Sequence, residues 1–284
     1  MSLGMEPMVW VVLTRGDRPT ALAASLSSVS QHEVMLVVNG PLPDRSVSSA
    51  PRGRVIETGR NLGIPAGRNL GLKETQAPIV GFLDDDAVAS EGIGDGIVAA
   101  LDAAPGLGAV ALRLVDEDGH TARRHVPRLG GRRPDEGGSV ALFLGGACAI
   151  RREAYEDAGG YWGELFYGHE EVELAWRLID RGWTIEYRPD LTVFHPRTEI
   201  GRHAEGWRMT GRNRVMIARR TLPWPVAVVH VTSWLLIGLV RAPSEHRRSY
   251  LSGWRDGWRH DVDRSPIRWR TVWRLTRLGR PPVL

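Results

Sequence analysis

The sequence predicts an α/β fold with a mostly parallel central sheet, followed by a C-terminal helical segment. Apolar runs of strand length alternate with segments of helical spacing through residues 1–200, and this alternation stops in residues 201–284. Charge and tryptophan content change at the same point. Strand–helix alternation is typical of parallel βαβ units, which bind ligands at the carboxyl ends of their strands. We therefore predict a ligand-binding domain over 1–200 and a helical tail over 201–284.

Strands are predicted where short apolar runs end in turn-forming residues. They are Val9–Leu13, Glu33–Val38, Val55–Ile56, Ile79–Leu83, Ala109–Leu114, Trp183–Tyr187 and Thr192–Phe194. Helices are predicted where apolar residues recur every three to four positions. They are Pro19–Ser28, Pro65–Thr75, Gly92–Ala104 and Glu170–Arg181, the last ended by Gly182. Residues 116–138 are rich in Gly, Arg and Pro, which predicts a mobile loop beside the site.

The two parts of the chain differ in net charge. Residues 1–200 contain 20 Lys and Arg against 28 Asp and Glu, whereas residues 201–284 contain 17 against 5 and hold seven of the eleven Trp. An acidic body joined to a basic segment indicates an anionic partner for that segment. The single cysteine, Cys148, excludes an intramolecular disulfide and a cysteine-based zinc site. It also fits a reducing compartment, and the first residues contain no secretory signal pattern.

Three consecutive aspartates, Asp84, Asp85 and Asp86, follow the predicted strand Ile79–Leu83. Carboxylates at the end of a buried strand repel one another and cost desolvation energy unless a cation compensates them. Asp84 and Asp86 project to the same side of an extended chain, so they can bind one divalent cation through oxygen. A solvated acidic turn is the alternative, because aspartates are common after strands.

A glycine-rich segment runs from Asn61 to Gly71. Its glycines at every fourth position from Gly63 let the backbone approach a ligand or a neighbouring helix, and Arg68 can pair with phosphate. Helix-on-sheet packing alone would explain the same spacing. The segment does not match the Gly-x-Gly-x-x-Gly dinucleotide pattern, which argues against a dehydrogenase.

Glu170 and Glu171 begin a predicted helix, where the helix dipole favours anions. They can form a surface cap, or one of them can act as a carboxylate base aimed into a cleft. His195 follows the last predicted strand. A lone histidine is commonly structural or solvated, so His195 is relevant only if it lies beside the aspartates.

Taken in order, these motifs resemble the inverting family-2 glycosyltransferases with the GT-A fold, particularly bacterial rhamnosyl- and galactofuranosyltransferases. The resemblance covers about residues 8–200. It consists of the opening strand and helix, the strand ending Val37-Val38-Asn39-Gly40, the glycine-rich segment, the Asp-x-Asp, Gly145-Gly146-Ala147 leading to Arg151-Arg152, the Glu-Glu-Val-Glu-Leu helix and His195. It implies a GT-A nucleotide-binding fold and transfer of a sugar from a nucleoside-diphosphate sugar to an acceptor hydroxyl, with inversion.

The resemblance also implies roles for individual residues. Asp84 and Asp86 would bind a Mg or Mn cation together with the sugar diphosphate, and His195 would complete the metal coordination. Glu171 would be the general base, although the family's base is usually Asp and the adjacent Glu170 is a second candidate. The residues implied to contact the nucleotide sugar are Thr14, Asn39, Arg68, Asp84 and Asp85. A bound cation offsets the charge that develops on the departing phosphate.

The expected partners are a UDP-, dTDP- or GDP-linked sugar donor and a glycan or lipid-linked acceptor, and no nucleic acid. Two other function classes fit parts of the sequence. A nucleotidyltransferase or sugar-nucleotide pyrophosphorylase shares the fold class and the metal carboxylates, but its glycine-rich loop is replaced here by Thr14-Arg15-Gly16-Asp17. A nucleic-acid-binding protein would use the Arg- and Trp-rich tail but would leave Asp84–Asp86 and His195 unexplained.

The tail permits two interpretations, which stay equally open. Pro223–Val240 is apolar but short for a span of ~20 residues, so we expect a core-packing or interfacial helix. Four tryptophans repeat among arginines, as expected of an amphipathic helix at a lipid headgroup layer. They are Trp254, Trp258, Trp269 and Trp273. In this interpretation the protein is cytoplasmic and peripheral on the inner face of the membrane; in the other, the same residues pack on the catalytic domain.

Overall fold

The computed structural model describes residues 6–41, 52–197 and 205–283. The strands are β1 (Met8–Thr14), β2 (Glu33–Val38), β3 (Gly53–Glu57), β4 (Ile79–Asp84), β5 (Val88–Ala89), β6 (Leu107–Val115), β7 (Gly138–Ser139), β8 (Ala147–Arg151) and β9 (Thr184–Phe194). The helices are α1 (Pro19–Ser28), α2 (Ile64–Lys73), α3 (Ile93–Ala103), α4 (Arg152–Asp157), α5 (Glu170–Arg181), α6 (Gly206–Thr221), α7 (Trp224–Arg241), α8 (Arg247–Arg259) and α9 (Trp269–Arg277).

The strands form one central sheet in the order β3-β2-β1-β4-β8-β6-β9-β5, with β7 also paired to β9. The pairs β3–β2, β2–β1, β1–β4 and β6–β9 are parallel, and β8 is antiparallel to both of its neighbours. Most of the paired residues therefore lie in parallel ladders, which confirms the predicted sheet. Thr14 pairs with Val38 and Leu13 with Asp84, so β1, β2 and β4 end at the same edge.

Both faces of the sheet are buried. Val9 and Val11 of β1 face a core cluster that includes α5, whereas Trp10 and Val12 face a second cluster that includes α1 and α3. These four side chains are at most 1% exposed. Burial on both faces explains why the central strands are continuous apolar runs rather than alternating ones.

Several predicted elements are confirmed and others are corrected. The predicted bounds of α1, β2 and α5 are those observed, and Gly182 ends α5 with a positive φ of 110°. The two short strands predicted between 183 and 194 are wrong as separate elements, because β9 is continuous. Leu112 of β6 pairs with Arg188 and the next residue, Arg113, pairs with Thr192, so β9 contains a bulge. The bulge interrupts the strand pattern, and for this reason the sequence predicted two strands. Residues 116–138 contain a short 3₁₀ turn at Arg123–His125 and the first residue of β7; the mobility of this segment stays a prediction.

The described part of the tail, residues 205–283, contains four α-helices that share the core of the α/β part. Val215, Met216 and Ile217 of α6 are buried in the same cluster as Leu174 of α5. The prediction of a single Trp-repeat helix is wrong, because residues 260–268 separate α8 from α9. Trp254 and Trp258 lie on α8 and Trp269 and Trp273 on α9. A domain boundary at residue 200 stays a prediction.

Candidate active site

The aspartate turn, which consists of Asp84, Asp85 and Asp86 at the end of β4, is held in place by hydrogen bonds to neighbouring segments. The Asp84 main-chain N–H donates to the Gly146 carbonyl at 3.2 Å, and its carbonyl accepts from the Ser25 hydroxyl at 3.2 Å. A Cβ atom at Gly146 would lie 2.0 Å from Asp84 Oδ2, and one at Gly145 would lie 2.3 Å from Arg68 Nη1. The two glycines therefore allow the segment just before β8 to approach the carboxylate and the guanidinium closely.

The structure brings Asp84, Asp86 and His195 together. One ligand atom from each residue lies within 4.8 Å of the other two, and His195 Nε2 is 3.3 Å from Asp86 Oδ1. His195 Nδ1 lies 2.8 Å from the Pro196 carbonyl, a hydrogen bond that directs Nε2 toward the aspartates. Two carboxylates and one imidazole suit a divalent cation such as Mn²⁺. The residues present thus fit the predicted cation, whose binding stays a prediction.

The charge state of His195 follows from these contacts. Burial alone would lower the pKa of His195, but the hydrogen bond with Asp86 and the charge of Asp84 outweigh it and raise the pKa. A cation bound here would compete with that proton, because only a deprotonated imidazole nitrogen can act as a ligand.

Asp85 has a different environment from its two neighbours. It is buried and accepts hydrogen bonds from Thr14 Oγ1 at 2.6 Å and from Arg18 Nη2 at 2.7 Å. Burial raises the pKa of Asp85 to about 6, although Thr14 and Arg18 act in the opposite direction. Thr14 and Asp85 therefore occupy one side of the turn together, next to the pair that fits a metal.

Arg18 is a site residue that the sequence reasoning missed. Its guanidinium pairs with both Asp85 and Asp86, and its side chain is about one-third exposed. Arg18 immediately precedes α1, after the carboxyl end of β1. That position is the signal that would have found it, because the loop after β1 meets the aspartate turn at the same sheet edge.

Arg68 joins the aspartate turn to the start of α5. It is buried, its Nη2 donates to Asp84 Oδ1 at 3.3 Å and its Nη1 to Glu170 Oε1 at 3.1 Å. The Phe82 and Tyr161 rings lie 5.9 and 5.8 Å from its guanidinium carbon. Its predicted contact with a nucleotide sugar stays a prediction; the observed contacts hold the two acidic motifs together.

Asn39 supports the glycine-rich segment. Its side-chain amide donates to the Gly63 carbonyl at 3.0 Å, and its side-chain oxygen accepts from the Leu62 N–H at 2.8 Å. Gly63 has φ +83°, and a Cβ there would lie 2.5 Å from the Phe166 carbonyl oxygen. This turn therefore needs glycine in order to pack against the segment that precedes α5. The proposed role of Asn39 in nucleotide recognition is not tested by these contacts.

The two glutamates at the start of α5 differ in their partners. Glu170 is buried in the ion pair with Arg68, whereas no side chain within the described ranges donates a hydrogen bond to Glu171, which is half-buried. Burial and the neighbouring Glu170 carboxyl raise the pKa of Glu171 to about 8. A carboxylate whose pKa lies near the working pH can act as a general base once it is deprotonated.

The rest of this motif is structural. Glu173 is fully buried and accepts from Arg177 Nε at 2.7 Å, while Arg177 Nη2 also donates to the Gly160 carbonyl at 2.6 Å. Arg220 of α6 lies 3.5 Å from Glu173. These contacts fix α5 against the preceding loop and the tail.

Comparison with known proteins decides the family. The sequence model of Glycosyl transferase family 2 matches residues 11–159, which is more than half of the chain and includes Thr14, Arg68 and the aspartate turn. The chain belongs to this family. It is therefore a glycosyltransferase, and neither the nucleotidyltransferase nor the nucleic-acid-binding alternative is supported.

Two relatives are from Mycobacterium tuberculosis. An N-acetylglucosaminyl-diphospho-decaprenol L-rhamnosyltransferase is 29% identical over an alignment that covers 66% of this chain and 75% of the relative. A pre-mycofactocin glycosyltransferase is 27% identical and is matched over 81% of this chain. The chain spans 53% of that second relative.

Solved structures support the GT-A fold. GalNAc-T7 with UDP, GalNAc and Mn²⁺ superposes with a TM-score of 0.65 at 15% identity, over 88% of this chain and 55% of that one. Staphylococcus aureus TarS 1–349 gives 0.62 at 13% identity, over 87% and 78%. A Pyrobaculum calidifontis mannosyltransferase with GDP-Man and Mn²⁺ gives 0.55 at 16% identity, over 98% and 74%. At these identities the likeness concerns the fold alone.

Proposed function

We propose that the chain transfers a sugar, with inversion and with the help of a divalent cation, from a nucleoside-diphosphate sugar to a hydroxyl of a lipid-linked or polysaccharide acceptor. The observation that carries this proposal is the convergence of Asp84, Asp86 and His195 at the carboxyl edge of the sheet. These three residues would hold Mg²⁺ or Mn²⁺, which when bound would offset the charge on the departing diphosphate.

The remaining steps belong to side chains of this chain. Arg68 orients Asp84 and Glu170 through its two hydrogen bonds. Glu171 accepts the proton of the acceptor hydroxyl as that oxygen attacks the anomeric carbon. One base and a single displacement invert the anomeric configuration, because the nucleophile enters on the face opposite the leaving diphosphate.

The names of the relatives support the substrate classes. One relative is named for a lipid diphosphate acceptor, and two solved neighbours contain UDP or GDP-mannose together with Mn²⁺. A thermal-shift screen of UDP-, dTDP- and GDP-sugars, each with and without Mn²⁺, tests the donor class. A ligand that binds only the native state raises the melting temperature. We expect a shift only with a donor and Mn²⁺ together; no shift with any donor would contradict the proposal.

We further propose that the protein is cytoplasmic and lies on the inner face of an anionic membrane through α7. One side of α7 buries Ala227, His230 and Val231 against the rest of the chain. The other side carries large apolar side chains that are 50% to 81% exposed: Trp224, Val228, Val229, Leu236 and Val240. We call these five residues the α7 stripe. Of the four tryptophans predicted to contact lipid, Trp254 packs against the core, whereas Trp258, Trp269 and Trp273 are exposed.

An orientation in the membrane plane agrees with the packing of α7. Within the described part of the chain, α7 is the one helix long and apolar enough to cross a membrane, with a mean hydropathy of 1.4 over 18 residues. Its buried side contacts protein, and its length is short for a span of ~20 residues. An apolar stripe on a helix of a basic tail is the pattern of an interfacial helix on anionic lipid.

A further inference from the structure

An arginine of α6 is buried without a hydrogen-bond partner among the residues that the structure describes. Arg214 is 8% exposed, its Nε atom is unpaired, and its guanidinium carbon lies 3.5 Å from the ring centroid of Trp234 in α7. A guanidinium carries five N–H donors, and burying it unpaired is costly. The stacking on Trp234 holds the group in place but satisfies none of these donors.

Two neighbours of Arg214 also keep a buried polar atom unpaired. They are Trp234, through Nε1, and His230, through Nε2. The rings of His230 and Trp234 lie 6.2 Å apart, and His230 Nδ1 lies 2.5 Å from the Pro282 carbonyl. Polar atoms in three adjoining side chains are thus left unsatisfied at one place, where such groups are normally paired.

The charge at this place is unbalanced. Burial lowers the pKa of Arg214 to about 9, and Arg280 lowers it further. Burial likewise lowers the pKa of Arg280, and Glu171 opposes the effect on both arginines, together with Tyr250 in the case of Arg214. Burial keeps His230 neutral by lowering its pKa to about 3. Arg280 lies two residues before Pro282, whose carbonyl contacts His230, so a second arginine belongs to this place. Glu171, the proposed base, is the carboxylate that acts on both arginines.

The position of α6 relative to the base is fixed. The side-chain amide of Asn213 donates to the carbonyls of Leu165, Tyr167 and Gly168 at 2.8 to 3.0 Å. These carbonyls belong to the segment that leads directly into α5. Arg214, the next residue along α6, is thereby held close to the start of α5, where Glu171 lies.

We propose that Arg214 and Arg280 bind a phosphate group of the acceptor, with the acceptor hydroxyl at Glu171. This inference rests on the proposed function and specifies its acceptor as a phosphate or diphosphate ester. The proposed cation site would take the donor diphosphate, so a second anion site beside the base serves the other substrate. Arginine matches phosphate oxygens with paired hydrogen bonds. Because α7 carries Trp234 as well as the α7 stripe, a lipid chain attached to that phosphate would lie against the exposed apolar side of α7.

The test measures anion binding with the donor site disabled. Geranyl diphosphate, geraniol and inorganic pyrophosphate are titrated into the full chain by calorimetry in the presence of EDTA. We expect geranyl diphosphate to bind, geraniol not to bind, and Arg280→Gln to weaken binding about tenfold or more, as expected for lost charged hydrogen bonds. Arg277→Gln, an exposed arginine of the preceding helix α9, is the matched control and should bind as wild type does.

The outcomes separate the possible explanations. If pyrophosphate and geranyl diphosphate bind equally tightly, the anion site is supported and the geranyl chain contributes nothing to the affinity. Equal affinity in wild type and Arg280→Gln, or no binding to wild type, overturns the inference. Arg280 is half-buried, so its variant remains informative if Arg214→Gln fails to fold. Mn²⁺-dependent donor binding is measured on separate, EDTA-free samples of the same proteins; its absence in wild type would contradict the proposed function instead.

Discussion

The aspartate turn differs from the Arg214 cluster, which consists of Arg214, His230, Trp234 and Arg280, in how buried charge is compensated. At the turn every carboxylate has a partner: Arg68 pairs with Asp84, Thr14 and Arg18 with Asp85, and Arg18 and His195 with Asp86. At Arg214 a buried guanidinium has no hydrogen-bond partner among the described residues, and three polar atoms of Arg214, His230 and Trp234 are unpaired. The first site is held together by its own side chains, whereas the second has positive charge to spare. The cation proposed for the first site rests on the convergence of Asp84, Asp86 and His195, and the anion proposed for the second rests on its unpaired donors.

The largest expected effect separates the two glutamates that lie between these sites. Glu171→Gln keeps the shape of the side chain and removes its basicity, so kcat should fall by ~10²–10⁴-fold with donor affinity unchanged. Glu170→Gln should instead lower the free energy of unfolding by about 1.5–3 kcal/mol, because it weakens a buried charged hydrogen bond from Arg68. Turnover and urea unfolding of both variants distinguish them. If Glu170→Gln were inactive and Glu171→Gln active, Glu170 would be the base and Glu171 would not.

A second prediction concerns the closeness of β8 to the aspartate turn. Gly146→Ala places a Cβ atom 2.0 Å from Asp84 Oδ2, so Asp84 must shift and Mn²⁺-dependent donor affinity should fall about tenfold or more. Gly106→Ala is the control, because nothing lies within 4 Å of a Cβ atom there. Calorimetry should find the control unchanged. Wild-type donor affinity in Gly146→Ala would show that the position of Asp84 does not matter.

The third prediction is a pH dependence. The base must be deprotonated to act, and burial raises the pKa of Glu171 to about 8. Activity should therefore fall as the pH is lowered through 8, by up to about tenfold per pH unit. Steady-state rates at saturating donor between pH 6 and 9 measure this limb. A flat profile over that range would argue against Glu171 as the base.

The smallest expected effect tests the α7 stripe. Val228→Asp places a charge on the exposed side of α7 and should reduce cosedimentation with anionic vesicles several-fold. Leu129→Asp makes the same kind of change at an exposed apolar residue outside the tail and should sediment as wild type does. Point variants are preferable to truncating the tail, because α6 is part of the core. Equal sedimentation of all three proteins would contradict the proposed contact between the α7 stripe and the membrane.

The sequence predicted the aspartate turn better than the tail for a physical reason. Asp84, Asp86 and His195 each lie at or just after the end of a strand, and strand ends at one sheet edge are brought together by a topology that periodicity reveals. Arg18 was missed because its role depends on a contact across 67 residues, and β8 was missed because it is a five-residue strand inserted antiparallel between β4 and β6.

The tail shows more clearly which features could not be predicted from the sequence. Its helices were predicted from composition, but which tryptophans are exposed depends on packing between helices. Trp254 and Trp273 occur in similar Arg-rich sequence, yet Trp254 packs against the core and Trp273 is exposed. The Arg214 cluster joins α6, α7 and the segment after α9, so no local pattern could reveal it.

The most direct test of the central claim is a calorimetric titration of the donor identified by the thermal-shift screen, with and without Mn²⁺. Wild type, Asp86→Ala and Asp118→Asn are compared. Asp118 belongs to a second acidic group with Asp116 and His120, of which Asp118 and His120 are exposed, and it serves as the matched control. We predict Mn²⁺-dependent binding to wild type and Asp118→Asn, and its loss in a folded Asp86→Ala. Unchanged donor affinity in Asp86→Ala would contradict the assignment of the aspartate turn as the metal and donor site.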